Sequence, residues 1–337
     1  MINIGVIGCG HWGPNHVRVF SHLSDSKVVM CADTDKERLN SIKETFLNVE
    51  VTTDYTAILN SSDIHAVCIV TPTNTHFSIV KEALNAGKHV FCEKPLTLTV
   101  EESKQLGALA QSKNLILMVG HVFLFNPGVL WLKDYINSGE MGKIYYTHTT
   151  RTNLGPFRYD VNALWDLAPH DISILNFLFD NKALNVSARG HKCLGNDLED
   201  LSFASIEYPN DIMANVHVSW LDPKKVRQIT IVAEKKMVIW DDLNTEAPIK
   251  VYDKYVEKTS QYYETYGEFQ LLSREGSITM PKIDMFEPLK KQNQTFLECI
   301  NGTQSVGNVD ASKAADVVAT LVAIQESMED GGRSVNV

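Results

Sequence analysis

Residues 2–13 read INIGVIGCGHWG and indicate how the N-terminal part of this chain folds. An apolar run, residues 2–7, leads directly into three glycines with the spacing G-x-G-x-x-G, and a helix-like segment follows. In this pattern the first glycine allows a tight turn, the second lets a pyrophosphate approach the backbone, and the third lets the helix pack closely on the strand. The stretch therefore predicts that the free amides of a helix N-terminus bind the phosphates of a dinucleotide.

Asp33 ends a second apolar run, residues 28–33. It follows Gly13 by about twenty residues, the distance at which a carboxylate accepts hydrogen bonds from the adenosine ribose. The same carboxylate would repel a 2′-phosphate, so Asp33 favours NAD over NADP. Lys36 and Arg38 lie close by in sequence and keep NADP as an alternative, and Asp33 could instead be a turn or helix-cap residue.

Length and composition describe an ordinary globular chain. The 337 residues are 44% hydrophobic and 21% charged, enough for a substantial core and for two domains. The net charge of −10 argues against a nucleic-acid backbone as partner.

The N-terminal apolar run is short and lacks a preceding basic region, so we expect a cytoplasmic protein without a membrane partner. The six cysteines show no C-x-x-C pairing, which predicts free thiols and no metal site.

The pattern of apolar residues predicts two domains of different architecture. In residues 1–121 short apolar strands alternate with amphipathic helices, which predicts a doubly wound parallel α/β sheet of the Rossmann type. The strands are expected at 2–7, 27–32, 66–71, 89–92 and 115–119. In residues 122–337 longer runs alternate with period two, which predicts an α+β domain with antiparallel hairpins. Its clearest strands are 201–208, 212–220, 227–233 and 237–240, and its last helices are expected near 287–300 and 311–329.

The residues that follow the predicted strands are the first candidates for chemistry, because ligands of open parallel sheets bind beyond the carboxyl ends of the strands. Residues 71–76 (TPTNTH) follow the third strand and residues 92–96 (CEKPL) follow the fourth. Lys94 lies between a strand end and a proline that cannot continue the strand. It is a candidate functional lysine, and the alternative is a solvated surface lysine paired with Glu93.

A second candidate cluster is residues 165–171 (WDLAPHD), just before an apolar periodic segment. Pro169 is predicted to occupy a first helical position, which would place His170 in the first turn. There the helix dipole would favour the neutral imidazole that a general base requires. Asp166, four positions earlier, could orient that ring. The alternative is a capping role for Asp166 and a core histidine at position 170.

Three motifs together resemble the glucose-fructose oxidoreductase, inositol dehydrogenase and rhizopine-catabolism (Gfo/Idh/MocA) family of NAD(P)-dependent sugar oxidoreductases. They are the glycine motif with Asp33, the sequence EKP at residues 93–95, and the D-x-x-x-H spacing of Asp166 and His170. Residues 71–76 resemble the family's TPNxxH element, with Thr73 in place of asparagine. The resemblance spans nearly the whole chain. It implies a Rossmann domain joined to a large, mostly antiparallel sheet whose face often forms the oligomer contact, hence a homodimer or homotetramer.

The resemblance also implies roles for individual residues. Lys94 would be the catalytic lysine and His170 the acid/base residue, with Asp166 supporting it. In this family the lysine–proline bond can be cis. The residues expected to bind the cofactor are Gly8, Gly10, His11, Trp12, Gly13, Asp33, Thr71, Pro72, Thr73, His76, Glu93, Lys94, His121 and Trp165.

The substrate is expected to contact the polar stretch 149–162, which joins a strand to the helix of His170. The candidates are Arg151, Asn153, Arg158 and Tyr159, which could bind hydroxyls, a carboxylate or a pyrophosphate, the alternative being loop packing and surface charge. Residues 166–171 and the preceding loop resemble the family branch that oxidises C3 of nucleotide-linked amino sugars, such as UDP-N-acetylglucosamine or its uronate. Five tyrosines could stack on a base or line a subunit contact: Tyr252, Tyr255, Tyr262, Tyr263 and Tyr266.

Other functions remain open at this point. The chain could oxidise a free sugar, inositol or a diol, or reduce a non-sugar carbonyl. It could also be a cofactor-binding regulator without turnover, although the presence of both Lys94 and His170 counts against that reading.

Overall fold

The computed structural model describes residues 1–195, 197–258 and 271–337. Its chain forms two compact units. The first consists of Met1–Asn126 and Phe286–Val322, and the second of Pro127–Met285 and Ala323–Val337. Compared with the predicted division into 1–121 and 122–337, the first unit therefore also takes in residues 122–126 and 286–322.

The secondary structure follows the predicted order. The strands are β1 (Ile2–Ile7), β2 (Ser26–Ala32), β3 (Glu50–Thr52), β4 (Ala66–Ile69), β5 (His89–Cys92), β6 (Leu117–Val119), β7 (Ile144–Leu154), β8 (Asn185–His191), β9 (Leu201–Tyr208), β10 (Ile212–Ser219), β11 (Leu221–Ala233), β12 (Met237–Asp241), β13 (Ile249–Lys258), β14 (Leu271–Thr279) and β15 (Val335–Asn336). The helices are α1 (Gly13–His22), α2 (Lys36–Thr45), α3 (Thr56–Asn60), α4 (Thr73–Asn85), α5 (Val100–Ser112), α6 (Pro127–Asn137), α7 (Ala163–Phe179), α8 (Pro288–Ile300) and α9 (Ala311–Glu329). Within these described ranges, none of the helices combines the length and hydropathy that a membrane span requires.

The first unit contains a parallel sheet with the strand order β3-β2-β1-β4-β5-β6. β1 and β4 lie at its centre and are almost entirely buried, as expected for strands covered by helices on both faces. The order reverses between β1 and β4, and ligands of such sheets bind at this switch point. The predicted doubly wound fold is confirmed. The sequence pattern missed β3, because that strand is only three residues long and half-exposed.

Helix α8 explains why the segment 286–322 belongs to the first unit. Its apolar face includes Phe296, whose ring lies 6.4 Å from that of Phe20 in α1 and 5.8 Å from that of Phe91 in β5. All three rings are fully buried. An amphipathic helix gains stability by burying such a face. Helix α8 therefore packs on the parallel sheet, although the strands of that sheet come from the N-terminal part of the chain.

The second unit contains a nine-stranded sheet with the order β14-β13-β12-β11-β7-β10-β9-β8-β15. The β7–β10 pair is parallel and the other paired neighbours run antiparallel, so the expectation of a mostly antiparallel sheet is confirmed. Along β10 the buried residues Ala214, Val216 and Val218 alternate with more exposed ones, and α7 packs on this strand. The apolar face of the sheet thus holds the helix that carries Asp166 and His170.

Candidate active site

The glycine motif forms a close turn between β1 and α1. Gly8 has a φ of +99°, and a Cβ on it would lie 2.5 Å from the carbonyl oxygen of Val70. A Cβ on Gly13 would collide with the carbonyl oxygen of Gly8. By contrast, the nearest atom to a Cβ on Gly10 would be Nη1 of Arg38 at 3.7 Å, so the backbone there is open to a phosphate. These three environments match the roles predicted for the glycines, and the turn fits a dinucleotide.

Next to this turn lie the side chains of Asp33, His11 and Trp12. The Asp33 carboxylate accepts the backbone N–H of Cys9 at 2.7 Å and that of Asp35 at 2.8 Å, which fixes its orientation beside the turn. Arg38 Nη1 lies 3.7 Å from the same carboxylate. The rings of His11 and Trp12 meet edge to face at 5.7 Å. An oriented acid at this place is able to accept ribose hydroxyls.

The segment 71–76 is joined to the segment after β5 through His76. The buried His76 ring lies 2.9 Å from the carbonyl oxygen of Pro95 and 2.9 Å from that of Thr71, one on each ring nitrogen. Burial lowers the pKa of His76, although both carbonyl contacts and Glu93 act against the shift. A neutral ring donates only one N–H, so one of the two contacts is satisfied at a time. Pro72 precedes α4 directly, and Thr73 is buried in its first turn.

Lys94 follows β5 at the carboxyl end of the parallel sheet, where the sequence placed it. Its bond to Pro95 is cis, and its backbone N–H donates to Glu93 Oε2 at 3.1 Å. Glu93 Oε1 lies 3.0 Å from Nε2 of His16. Burial acts to raise the pKa of Glu93, but the contacts with His16 and Lys94 outweigh it and hold this pKa below its usual value. The carboxylate is therefore ionised at neutral pH.

His121 follows β6 and is fully buried. Neither of its ring nitrogens has a hydrogen-bond partner among the described residues. Burial lowers the pKa of His121 to about 4, with Glu93 opposing the shift and Lys94 adding to it. Its backbone N–H and that of Val122 each lie 3.2 Å from the side-chain oxygen of Gln292. A neutral ring with unused polar atoms, electrostatically coupled to Lys94, is suited to meet a polar ligand.

Sequence reasoning missed His16, Gln292 and Asn293 in this cluster. Gln292 and Asn293 are fully buried although they are polar, and they lie on the packed side of α8. The sequence signal for them was a pair of adjacent amides beside the apolar residues of an amphipathic helix. Buried amides need hydrogen-bond partners, so such a pair indicates a polar contact inside the fold. His16, three residues after Gly13, gave no comparable signal in a single sequence.

In the second unit, α7 begins earlier than predicted. Asn162 is the N-cap, with its side chain accepting the N–H of Trp165 at 3.1 Å, and Pro169 lies inside the helix. The prediction that Pro169 starts the helix is wrong, because Asn162 caps the helix seven residues earlier. His170 consequently lies beyond the first turn, where the helix dipole has little effect on its charge. The four-residue spacing still puts Asp166 and His170 on one face of α7.

The Asp166 carboxylate is held by two side chains. Nη1 of Arg158 donates to Oδ1 at 3.1 Å, and the indole N–H of Trp220 donates to Oδ2 at 3.2 Å. Burial opposes the charge on Arg158, but its bonds to Asp160 and Asp166 outweigh this and raise its pKa. Asp166 is thus a positioned carboxylate rather than a helix cap.

The four predicted substrate residues lie in very different surroundings. Arg151 is buried in a two-pronged ion pair with Asp171, at 2.8 Å from Nε to Oδ2 and 3.1 Å from Nη2 to Oδ1. Asn153 donates to the carbonyl oxygen of Gly155, whereas Tyr159 is 88% exposed. Arg158 is partly exposed. Tyr159 is thus the most accessible of the four, Asn153 and Arg158 are intermediate, and Arg151 is committed to its ion pair with Asp171, the residue after His170.

The remaining predicted residues are placed as follows. Trp165 lies in the first turn of α7 and is half-buried, and Tyr252 and Tyr255 lie in β13. Tyr262, Tyr263 and Tyr266 lie outside the described residues.

Comparison with known proteins gives the family. Residues 2–121 match the model of the Gfo/Idh/MocA oxidoreductase family, described as an NAD-binding Rossmann fold, and residues 129–239 match the model of that family's C-terminal domain. The chain belongs to the Gfo/Idh/MocA family. It is an oxidoreductase with a domain for a nicotinamide dinucleotide.

Its relatives include dehydrogenases of different polyhydroxylated substrates. A UDP-N-acetylglucosamine 3-dehydrogenase of Acidithiobacillus ferrooxidans is 30% identical over 71% of this chain and 74% of its own length. The NAD-dependent scyllo-inositol 2-dehydrogenase of Bacillus subtilis is 29% identical over 66% of this chain and 68% of its own. Among solved structures, GenD2 from gentamicin A biosynthesis, in complex with NAD, has the same fold, with a TM-score of 0.83 at 21% identity over 100% of this chain and 96% of that one.

Proposed function

We propose that this oxidoreductase acts on C3 of a nucleotide-linked amino sugar, UDP-N-acetylglucosamine or its uronate, with NAD as cofactor. The observation that carries the substrate class is the 30% identity to a UDP-N-acetylglucosamine 3-dehydrogenase over 71% of the chain. Accessible cationic and aromatic side chains in the stretch before α7, Arg158 and Tyr159, are suited to a pyrophosphate and a sugar, which supports the same class.

The proposed chemistry divides between two groups. In the oxidation direction His170 accepts the proton of the sugar hydroxyl, and Asp166 supports the ring that carries it. The ammonium of Lys94 stabilises the negative charge that develops on the same oxygen. NAD, when bound, supplies the acceptor for the electron pair that leaves the carbon.

The cofactor is proposed to occupy the turn after β1 and the segments after β4, β5 and β6. Asp33 would receive the adenosine ribose, and its oriented carboxylate disfavours the 2′-phosphate of NADP. Arg38 carries the opposite charge, but it already lies between Asp33 and Asp35 at 3.7 Å and 3.4 Å. This pairing supports NAD rather than NADP.

A free polyol is the second candidate substrate. It is favoured by the scyllo-inositol 2-dehydrogenase of Bacillus subtilis, whose 29% identity nearly equals that of the nucleotide-sugar enzyme. Such a substrate would bring no anionic group to Arg158, whose charge would then be balanced by Asp160 and Asp166 alone.

The test is turnover with deuterium-labelled substrates. UDP-N-acetylglucosamine deuterated at C3 should yield deuterated NADH, detected by mass spectrometry, whereas the same sugar deuterated at C4 should yield unlabelled NADH. Free N-acetylglucosamine, myo-inositol and scyllo-inositol serve as matched substrates without the nucleotide, and NADP replaces NAD in a parallel series. Turnover of the inositols alone would reject the nucleotide-sugar proposal, and a preference for NADP would reject the cofactor assignment.

We also propose that the chain forms a homodimer or homotetramer through the face of its nine-stranded sheet that α7 does not cover. Three side chains on that face are half-exposed although they are large and apolar: Tyr146, Phe203 and Met213. Strand register puts Met213 opposite Tyr146, and the Phe203 ring stacks at 4.2 Å on that of His217. Exposed apolar patches of this kind support a subunit contact, which light scattering during size-exclusion chromatography would detect.

A further inference from the structure

We propose that His16 is a positioning residue for Lys94, because it holds the Glu93 carboxylate where that carboxylate accepts the backbone N–H of Lys94. The inference rests on the catalytic role proposed above for Lys94. It adds a residue from α1 and a helix far along the chain, α8, to the machinery of that lysine.

Three polar contacts connect α8 to Lys94 within the first unit. The Asn293 amide nitrogen lies 3.3 Å from Nδ1 of His16, Nε2 of His16 lies 3.0 Å from Glu93 Oε1, and the Lys94 N–H donates to Glu93 Oε2 at 3.1 Å. Because the Asn293 amide donates to Nδ1, the ring proton of a neutral His16 resides on Nε2. That N–H then donates to Glu93. Each carboxylate oxygen therefore has its own donor, one on each side.

The surroundings leave this arrangement little freedom. The His16 ring is fully buried, 6.2 Å from the ring of Phe20 and 5.0 Å from that of Phe91. On another side of the carboxylate, a Cβ on Gly120 would come within 3.0 Å of Glu93 Oε1. Glycine at this position leaves the carboxylate just enough room. Glu93 is therefore confined by His16, by Gly120 and by the N–H of Lys94.

Loss of the His16 donor would disturb Lys94 through Glu93. A buried carboxylate oxygen without a donor is costly, so the group would rotate toward other donors or take up a proton. Either change weakens its bond to the Lys94 N–H. A displacement of about 1 Å in a reacting group lowers turnover by about 100-fold.

The experiment compares two replacements of one side chain. His16→Gln keeps an N–H donor near the place of Nε2, whereas His16→Leu keeps apolar volume and removes the donor. His22→Gln, on the exposed side of the same helix, is the matched control. We expect kcat to fall about 100-fold in H16L and by less than about 3-fold in H16Q and H22Q. The NADH dissociation constant of the control H22Q should match that of the wild type.

A second readout needs no turnover. Hydrogen exchange followed by mass spectrometry should show faster exchange at the Lys94 amide in H16L and wild-type exchange in H16Q. If the wild type oxidises no sugar but exchange follows this pattern, the proposed function fails and the positioning contact stands. If the wild type is active and a folded H16L keeps its kcat, or if H16Q is as slow as H16L, the role of His16 is rejected.

Should H16L not fold, Gly120→Ala moves the same carboxylate from its other side. It should lower kcat and speed Lys94 exchange while leaving His16 intact. An active, well-protected G120A protein would count against the proposal.

Discussion

The two units hold their candidate residues in different ways. In the first unit, Lys94 is fixed through its backbone and buried histidines bind the segments around it, as His76 does between Thr71 and Pro95. In the second unit, the two candidate arginines are held by ion pairs, from the buried Arg151–Asp171 pair to the partly exposed Arg158–Asp160 pair. The first arrangement suits chemistry that stays the same for every substrate. In the second, Arg158 and Asp160 lie in the loop between β7 and α7, where a change of residue can alter specificity because loops tolerate variation.

Replacing Lys94 by Met should have the largest effect on activity. The variant keeps much of the side-chain volume and loses the charge that would stabilise the alkoxide, so kcat should fall by about 10²–10⁴-fold. Steady-state kinetics with the best substrate would measure this. Lys104→Met, an exposed lysine on α5, is the control and should keep wild-type turnover. Wild-type kcat in K94M would exclude a catalytic role for this lysine and leave the first unit with cofactor binding alone.

The two arginines of the second unit should differ sharply in their effect on stability. Arg151→Met leaves the buried Asp171 carboxylate without its ion-pair partner, which costs about 3–5 kcal/mol of unfolding free energy. Arg158→Met removes two partly exposed ion pairs, with Asp160 and Asp166, and should cost about 1 kcal/mol. Urea unfolding of both variants, followed by tryptophan fluorescence, measures the difference.

The double variant Arg151→Met with Asp171→Leu serves as the control for this pair. Removing both charges should restore part of the stability lost in R151M, because no buried charge then lacks a partner. Equal stability losses in R151M and R158M would mean that the buried pair is no more important than the surface pair.

The sequence was informative where local chemistry alone determines the structure. The glycine spacing predicted the close turn at Gly8 and Gly13, because the steric demands at these two positions are local. The distance of about twenty residues from Gly13 predicted Asp33. The prediction from Pro169 was wrong because this proline, of a type that often begins helices, lies inside α7, and the helix is capped by the side chain of Asn162. The burial of Arg151 depends on Asp171, 20 residues away, and the contact of Asn293 depends on His16, 277 residues away; a single sequence does not pair such residues.

The smallest predicted effect concerns pH and the buried histidine of the first unit. His121 has a pKa of about 4 in the folded chain, below its ordinary value, so the unfolded chain binds a proton that the folded chain excludes. Its contribution to stability is therefore complete above about pH 6.5 and is lost as the pH falls toward 4, amounting to about 2 kcal/mol between pH 7 and 5. His121→Gln cannot take up this proton, so its unfolding midpoint in urea should fall less over that range than that of the wild type. The exposed His22→Gln variant should follow the wild type throughout. If H121Q and the wild type lose stability in parallel, His121 is not the group that acid acts on, and His76, whose pKa burial also lowers, becomes the residue to replace next.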